Sequence, residues 1–474
     1  MSLLSQLLRR RNAYLKIWLG RLVFWGGAVS VGLLSALFVE LSETLSGVFM
    51  RGVARYGWLP LLVTPLGGAL CVWLTRRYFA GAEGSGIPQT LAEMRHPHQA
   101  ESGWRPLLSL RIICGKILVG ASAVGCGFSL GREGPTVQIG ASLMNAIHRL
   151  LPAGLHIQRN HLLVAGGAAG IAAAFNAPLA GIMFAIEEMS RGVEARMSGL
   201  IITAIVLAGV TAQALKGSGG NYFGTVLMIA GDSDQLAAVA ISVLACGLLG
   251  GLFSRMMVLG ATSWKGRLAD LRARRPVLFA ALCGLLVAGL GMVTGGAVFG
   301  GGLEQTQALL DADTVVQAQT QVGAAHWYFV PAKFMATLIA YFSGLPGGIF
   351  APALSIGAGI GHELAQLLPA QNLSDLHGLL LQQDMRNMML ALCMAGFLAA
   401  ATQAPLTSFL IVMEMVNGYS LVISLMVVSL ICAGISRLIS PPLYSTLAAA
   451  IVAKQMAARL PATAQSSPQS SQPP

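Results

Sequence analysis

Three short stretches join turn-forming glycines to a helix-starting proline: Gly84-Ser85-Gly86-Ile87-Pro88, Gly131-Arg132-Glu133-Gly134-Pro135 and Gly347-Gly348-Ile349-Phe350-Ala351-Pro352. Proline suits the first turn of a helix, where its missing N–H is not needed, and glycine lets the chain enter tightly. Each stretch therefore reads as a helix N-terminus. The amides left free there carry partial positive charge and make an anion site without any lysine or arginine. That suits an ion that must also leave, because an ammonium beside it would hold it too strongly for fast release. Hydroxyls complement such amides. Ser85 supplies one in the first stretch, and Tyr444 of Ser440-Pro441-Pro442-Leu443-Tyr444-Ser445 supplies another. The competing readings are a helix cap for Ser85 and an interfacial belt residue for Tyr444.

Glu133 is a carboxylate placed inside one of these anion sites. It can occupy the seat of a mobile anion and vacate it when protonated; it reads also as the partner of Arg132 or as a structural cap. Ionisable residues inside membrane segments are functional candidates by default. Glu187 and Glu188 end the helix that Pro178 opens, and neighbouring helical residues point about 100° apart, so the two cannot share one role. Either one faces a water-filled approach and relays protons while the other packs or caps, or both are solvated near Arg191. The eight histidines show no metal-ligating spacing. No metal and no cofactor is implied.

These residues must be positioned by elements buried in lipid. The chain of 474 residues is 55% hydrophobic and only 10% charged, and its mean hydropathy is +0.69, above the range of soluble domains. Apolar runs such as 17–39, 59–74, 236–253, 277–293 and 421–435 approach or reach the length of a bilayer-spanning helix. No alternating ten-residue strands occur, so a helical bundle is expected rather than a barrel. The fold class is all-α, with roughly a dozen or more helices in a polytopic membrane protein. The net charge of +11 sits mainly between apolar runs, as in Arg9-Arg10-Arg11 and Arg76-Arg77, which reads as topology signal rather than nucleic-acid binding. The basic cluster before the first run predicts a cytoplasmic N-terminus. The first apolar run is too long for a cleavable signal. All seven cysteines lie in apolar segments without paired spacing and are expected to fill the core. The expected organisation is an N-terminal cytoplasmic segment over 1–16, one transmembrane domain over 17–455 and a disordered tail over 456–474, rich in Pro, Ser and Gln.

The second half repeats the first. At an offset close to 217, Gly84–Thr90 falls on Gly300–Thr306, Lys116 on Lys333, and Gly131–Pro135 on Gly348–Pro352. Both of the last pair continue as Ile-Gly-Ala, at 139–141 and 356–358. Farther on the offset is 227: Ala177-Pro178-Leu179 falls on Ala404-Pro405-Leu406, and each proline has a glutamate nine positions later, Glu187 and Glu414. Matches in one order point to duplication, with repeats over roughly 17–215 and 236–455. Repeats of this kind in transporters are often inverted, with broken helices meeting at the midplane.

Together the stretches GSGIP, GREGP and GGIFAP and the late Tyr444 resemble the CLC family of chloride channels and chloride/proton antiporters, across roughly 17–455. The resemblance implies a homodimer in the inner membrane with one anion pathway per subunit. It implies chloride binding by Ser85 and Tyr444 and by the backbone amides of Ile349 and Phe350. Glu133 matches the gating glutamate that competes with chloride and takes up the proton, supported by Arg132 and Gly134 of the same motif. Glu188 matches the internal proton-transfer glutamate of the antiporter branch, and Lys116 a buried basic residue that shapes the potential without touching the ion. Gln89 departs from the pattern, standing where many relatives carry an acid. The reading is secondary active transport of chloride coupled to proton counter-transport. Its rivals are a passive voltage- or pH-gated chloride channel of the same fold, a scaffold, and an intramembrane enzyme, for which neither a nucleophile nor a metal motif is present.

Overall fold

Backbone groups in hydrocarbon must hydrogen-bond within their own segment, and the chain meets this demand with helices almost throughout. The computed structural model describes residues 3–95, 106–151, 158–189, 198–216, 223, 226, 232–311, 325–367 and 376–457. The first half holds α1 (Leu3–Arg55), α2 (Leu59–Tyr78), α3 (Ile87–Arg95), α4 (Leu110–Gly115), α5 (Ala121–Gly125), α6 (Glu133–Ile147), α7 (Arg159–Phe175), α8 (Pro178–Phe184) and α9 (Ser198–Lys216). A π-turn over Lys116–Gly120 joins α4 to α5, and another over Ala185–Met189 extends α8. The second half holds α10 (Asp232–Thr262), α11 (Arg267–Arg274), α12 (Pro276–Val293), α13 (Leu303–Asp311), α14 (Phe329–Phe342), α15 (Phe350–Leu367), α16 (Leu376–Thr402), α17 (Pro405–Met415), α18 (Val422–Ile439) and α19 (Leu443–Ala457).

Among the described residues six helices are long and apolar enough to cross a bilayer: Trp18–Arg55, Leu59–Tyr78, Leu236–Thr262, Pro276–Val293, Gln383–Thr402 and Tyr419–Ile439. The apolar runs read from the sequence at 17–39, 59–74, 236–253, 277–293 and 421–435 fall within or nearly within five of them. The sixth, in α16, is the most enclosed: 89% of its apolar window is buried. The other five turn leucines such as Leu37, Leu66, Leu244, Leu286 and Leu430 outward, as lipid-facing helices do. α1 is continuous from Leu3, with neither glycine nor proline before Gly20, and its candidate span starts at Trp18. The C-terminal tail lies outside the described residues beyond Ala457. Five cysteines are buried, but Cys114 is exposed and Cys126 half-buried, so not all of them fill the core.

Contacts between the halves give the duplication its geometry. Gly131 and Gly348, equivalent at offset 217, form an antiparallel bridge. Each amide donates to the other's carbonyl, at 2.8 and 2.7 Å. Reciprocal bonds between equivalent residues are what a two-fold axis produces, and the axis passes between them. The same relation governs α8 and α17, which pack side by side. Glu187, at the end of the α8 segment, accepts from Leu406 N at 3.1 Å and from Thr407 N and Oγ1 at 2.8 Å each, at the start of α17. Glu414, at the end of α17, accepts from Leu179 N at 3.2 Å and Ala180 N at 2.8 Å, at the start of α8. Each helix is thus capped by the other's terminal carboxylate, which requires them to run antiparallel. The two halves are inverted relative to one another.

A carboxylate on two free amides of an apolar helix contributes about 1 kcal/mol, as a cap and against the helix dipole. Glu414→Ala should therefore lower the apparent melting temperature of the detergent-purified protein by a few degrees, with Glu414→Gln in between. Unchanged melting in both variants would mean that the cap contributes nothing.

Candidate anion site

The three glycine–proline stretches, distant in sequence, meet at the axis. Gly84 N donates to Leu345 O at 3.1 Å and Gly347 N to Gly84 O at 3.0 Å, tying the first stretch to the third. The Gly131–Gly348 bridge ties the second to the third. Gly134 lets α6 come close: a β-carbon there would stand 2.3 Å from Ser85 Oγ and 3.3 Å from Gly348 Cα. Any larger residue would push the serine away from the helix end.

Ser85 is buried, and its Oγ has no partner within hydrogen-bonding distance among the described residues. It does not cap α3. Tyr444 is 2% exposed and its hydroxyl is likewise without a close partner, which rules out an interfacial belt position. Its ring stacks on Phe350 at 6.1 Å between centroids and 9° between planes, and Phe350 packs in turn on Phe175 and Phe184. The phenol faces the hydroxyl of Ser85, and Glu133 and Glu188 lie within electrostatic reach of it. Two buried hydroxyls that have only each other among the described residues are under-satisfied unless a further group joins them.

The start of α15 supplies amides to the same place. Ile349 and Phe350 are buried; Ile349 O accepts from Ala353 N at 2.9 Å, while Pro352 has no N–H to offer. The donors of this helix end are therefore the amides of Ile349, Phe350 and Ala351. Glu133 takes one of them: its Oε2 accepts from Ala351 N at 3.3 Å, and the carboxylate also interacts with the amides of Arg132 and of Glu133 itself. The side chain is 1% exposed. An acidic group thus lies across the helix ends of both halves. Arg132 is engaged elsewhere, with Nη1 2.8 Å from Glu43 Oε1 and 3.2 Å from Val39 O.

Lys116 begins the π-turn after α4, is fully buried, and donates from Nζ to Gly84 O at 2.6 Å. It holds the Ser85 loop from behind. Gln89, where an acid was expected by resemblance, holds the same loop from the other side: Oε1 accepts from Gly86 N at 2.9 Å and Nε2 donates to Glu83 O at 2.5 Å. The adjacent pair Glu187 and Glu188 divides as the helical geometry demands. Glu187 is committed to the start of α17, while Glu188 stands about a quarter-turn away on the π-turn, half-buried and in electrostatic reach of Tyr444. Sequence reasoning missed Glu43, Gln138 and the buried pair of Glu93 with Arg159 at 3.0 Å; none has a local pattern that marks it. Glu414 was visible as the repeat of Glu187, without its crossing partner.

A family profile described as voltage gated chloride channel matches residues 67–437. The H(+)/Cl(-) exchange transporter ClcA of Vibrio vulnificus (strain YJ016) is 33% identical over 382 residues, spanning 79% of this chain and 76% of its own. The protein of the same name in Klebsiella pneumoniae subsp. pneumoniae is 29% identical over 409 residues, spanning 84% and 80%. Among solved structures, a slow cyanobacterial Cl-/H+ antiporter superposes with a TM-score of 0.77 at 24% identity, covering 92% of this chain and 99% of that one. A CLC-type fluoride/proton antiporter superposes with a TM-score of 0.68 at 22% identity. Profile, relatives and fold agree, and the chain belongs to the CLC family, the voltage gated chloride channels.

Proposed function

We propose that this chain is a secondary active transporter that exchanges chloride for protons across the membrane. The observation that carries the reading is the seat of Glu133: a carboxylate rests on the amide of Ala351, at the very helix end that would otherwise receive an anion. Carboxylate and chloride then compete for one set of donors. Protonation removes the negative charge that the amides attract, and the side chain swings out, carrying its proton while chloride enters. The names of the relatives as H(+)/Cl(-) exchange transporters support exchange over passive conduction.

In this reading chloride is held by the hydroxyls of Ser85 and Tyr444 and by the amides of Ile349 and Phe350, with Gly134 giving room and Arg132 anchoring the entry to α6. Lys116 fixes the loop of Ser85. Glu188 passes protons between Glu133 and the cytoplasm, past Tyr444, and Glu187 serves the fold. The protein works as a homodimer in the bacterial inner membrane with its N-terminus in the cytoplasm; the apolar residues Leu179, Ile186, Ile202 and Val206, exposed on α8, its π-turn and α9, offer a face for the second copy. Chloride and protons are its substrates, and no cofactor enters the cycle.

Liposomes loaded with a chloride gradient and no pH gradient test this. The unmodified protein should drive protons uphill, read as a change of internal pH. Glu188→Gln should reduce that proton movement by about 10²-fold or more, the contribution of one positioned proton-transfer group, while chloride still flows. Chloride flux with static pH in the unmodified protein would instead mean passive conduction. Glu133→Gln should abolish proton movement and leave a chloride flux that no longer varies with pH, since the amide cannot take up or release the proton that frees the seat. A pH-dependent flux in this variant would place the gate on another residue.

A further inference from the structure

The duplication gives the Ser85 loop a twin that the proposed exchange leaves unused. Gly84–Thr90 and Gly300–Thr306 stand 216 apart and follow the same backbone course. φ is +69° at Gly84 and +105° at Gly86, and +66° at Gly300 and +89° at Gly302, left-handed values that glycine adopts without penalty. In each loop the carbonyl of the glycine just before the helix accepts from a threonine four residues on. Thr90 and Thr306 each donate from N at 3.0 Å and from Oγ1 at 2.9 Å, to Gly86 and Gly302 respectively. In each loop a buried lysine holds the first glycine: Lys116 Nζ is 2.6 Å from Gly84 O, and Lys333 Nζ is 2.8 Å from Gly300 O and 2.9 Å from Val298 O.

Three differences separate the twins. Gly301 replaces Ser85, so the loop itself carries no hydroxyl. The amide of Gly86 is taken by Gln89, whereas the amides of Gly301, Gly302 and Leu303 have no acceptor among the described residues. Where Gln138 lies against Gly86, Ser355 of α15 lies against Gly302, its Oγ 2.4 Å from where a β-carbon on Gly302 would stand. Ser355 is 1% exposed and its hydroxyl has no hydrogen-bond partner among the described residues. Gly300, Gly301 and Gly302 line a cavity of about 280 Å³ together with Gly131, Arg132 and Ala351, which flank Glu133. Glu43 and Glu304 also line it, the former already paired with Arg132.

We propose that the Gly300–Gly302 loop, the first amides of α13 and the hydroxyl of Ser355 form a second chloride cradle. It lies across the two-fold axis from Ser85 and stages the ion on the far side of Glu133. The assignment rests on the anion-exchange reading of the central site. A chloride there meets backbone amides and one hydroxyl, the same donor types as at the centre, and is held weakly enough to move on.

Crystals of the full chain soaked in bromide distinguish the two claims. The expected result is two anomalous peaks: one between Ser85 and Tyr444, the other within hydrogen-bonding reach of the Gly302 amide and Ser355 Oγ. Ser355→Ala should weaken only the second peak and raise the half-saturating chloride concentration roughly tenfold, as loss of one hydrogen bond to a charged group does, on one side of the membrane only. Gly301→Ser puts back the hydroxyl of the twin, in a place where its β-carbon would be 3.4 Å from the nearest heavy atom, and should strengthen that peak. A central peak without the second one, or a second peak indifferent to both substitutions, overturns the cradle and leaves the central site standing. Absence of both peaks overturns the exchange reading as well.

Discussion

A helix that begins inside a membrane leaves its first amides facing a medium with nothing to accept their hydrogen bonds, and each one left bare is costly. The architecture is organised around the ways these ends are closed. At α8 and α17 the closure is permanent: Glu187 makes three bonds of 2.8–3.1 Å and Glu414 two of 2.8–3.2 Å. At α15 it is looser, a single bond of 3.3 Å from Ala351 to the carboxylate of Glu133. The chemistry is the same in both places. What differs is the number and length of the bonds, and hence whether a passing anion can replace the protein's own.

Inversion explains why both halves are needed. One half alone would aim its broken helices from one side and leave the opposite approach uncapped. The two-fold between Gly131 and Gly348 brings the ends of α6 and α15 together from opposite directions. It also makes the halves interdependent, because each holds the carboxylate that closes the other's short helix. The Gly134 position tightens the convergence, since its lack of a side chain is what admits Ser85 to the end of α6.

Much of this was legible in the chain. Hydropathy marked five of the six spans, all but the enclosed one in α16, and the glycine–proline stretches marked the helix ends because tight entry and a missing N–H have few other uses. Order-preserving matches at offsets of 217 and 227 announced the repeat. What stayed hidden depends on distances in space that local pattern does not encode. Glu43 meets Arg132 from 89 residues away. The sequence displayed a glutamate nine positions after each of two prolines, but not that each would serve the other helix. Of the adjacent Glu187 and Glu188, periodicity said that they must differ; only the approach of α17 decides which of them caps. Burial of Tyr444 was equally hidden, since a tyrosine after an apolar run reads first as an interfacial anchor.

Two buried lysines hold the loops of the proposed ion path. Lys116 and Lys333 occupy equivalent places behind equivalent loops, and both turn Nζ to glycine carbonyls. An amine so engaged is a strut: it fixes the loop and satisfies carbonyls that lipid could not. Because the lysine stands behind the loop, an anion in front, as the proposed exchange requires, would meet peptide N–H groups and hydroxyls, whose partial charges attract it but let it go. The arrangement also orders the consequences of substitution. Removing a strut would disturb the loop and with it every ligand that the loop presents, whereas removing a hydroxyl takes away one ligand and leaves the frame in place.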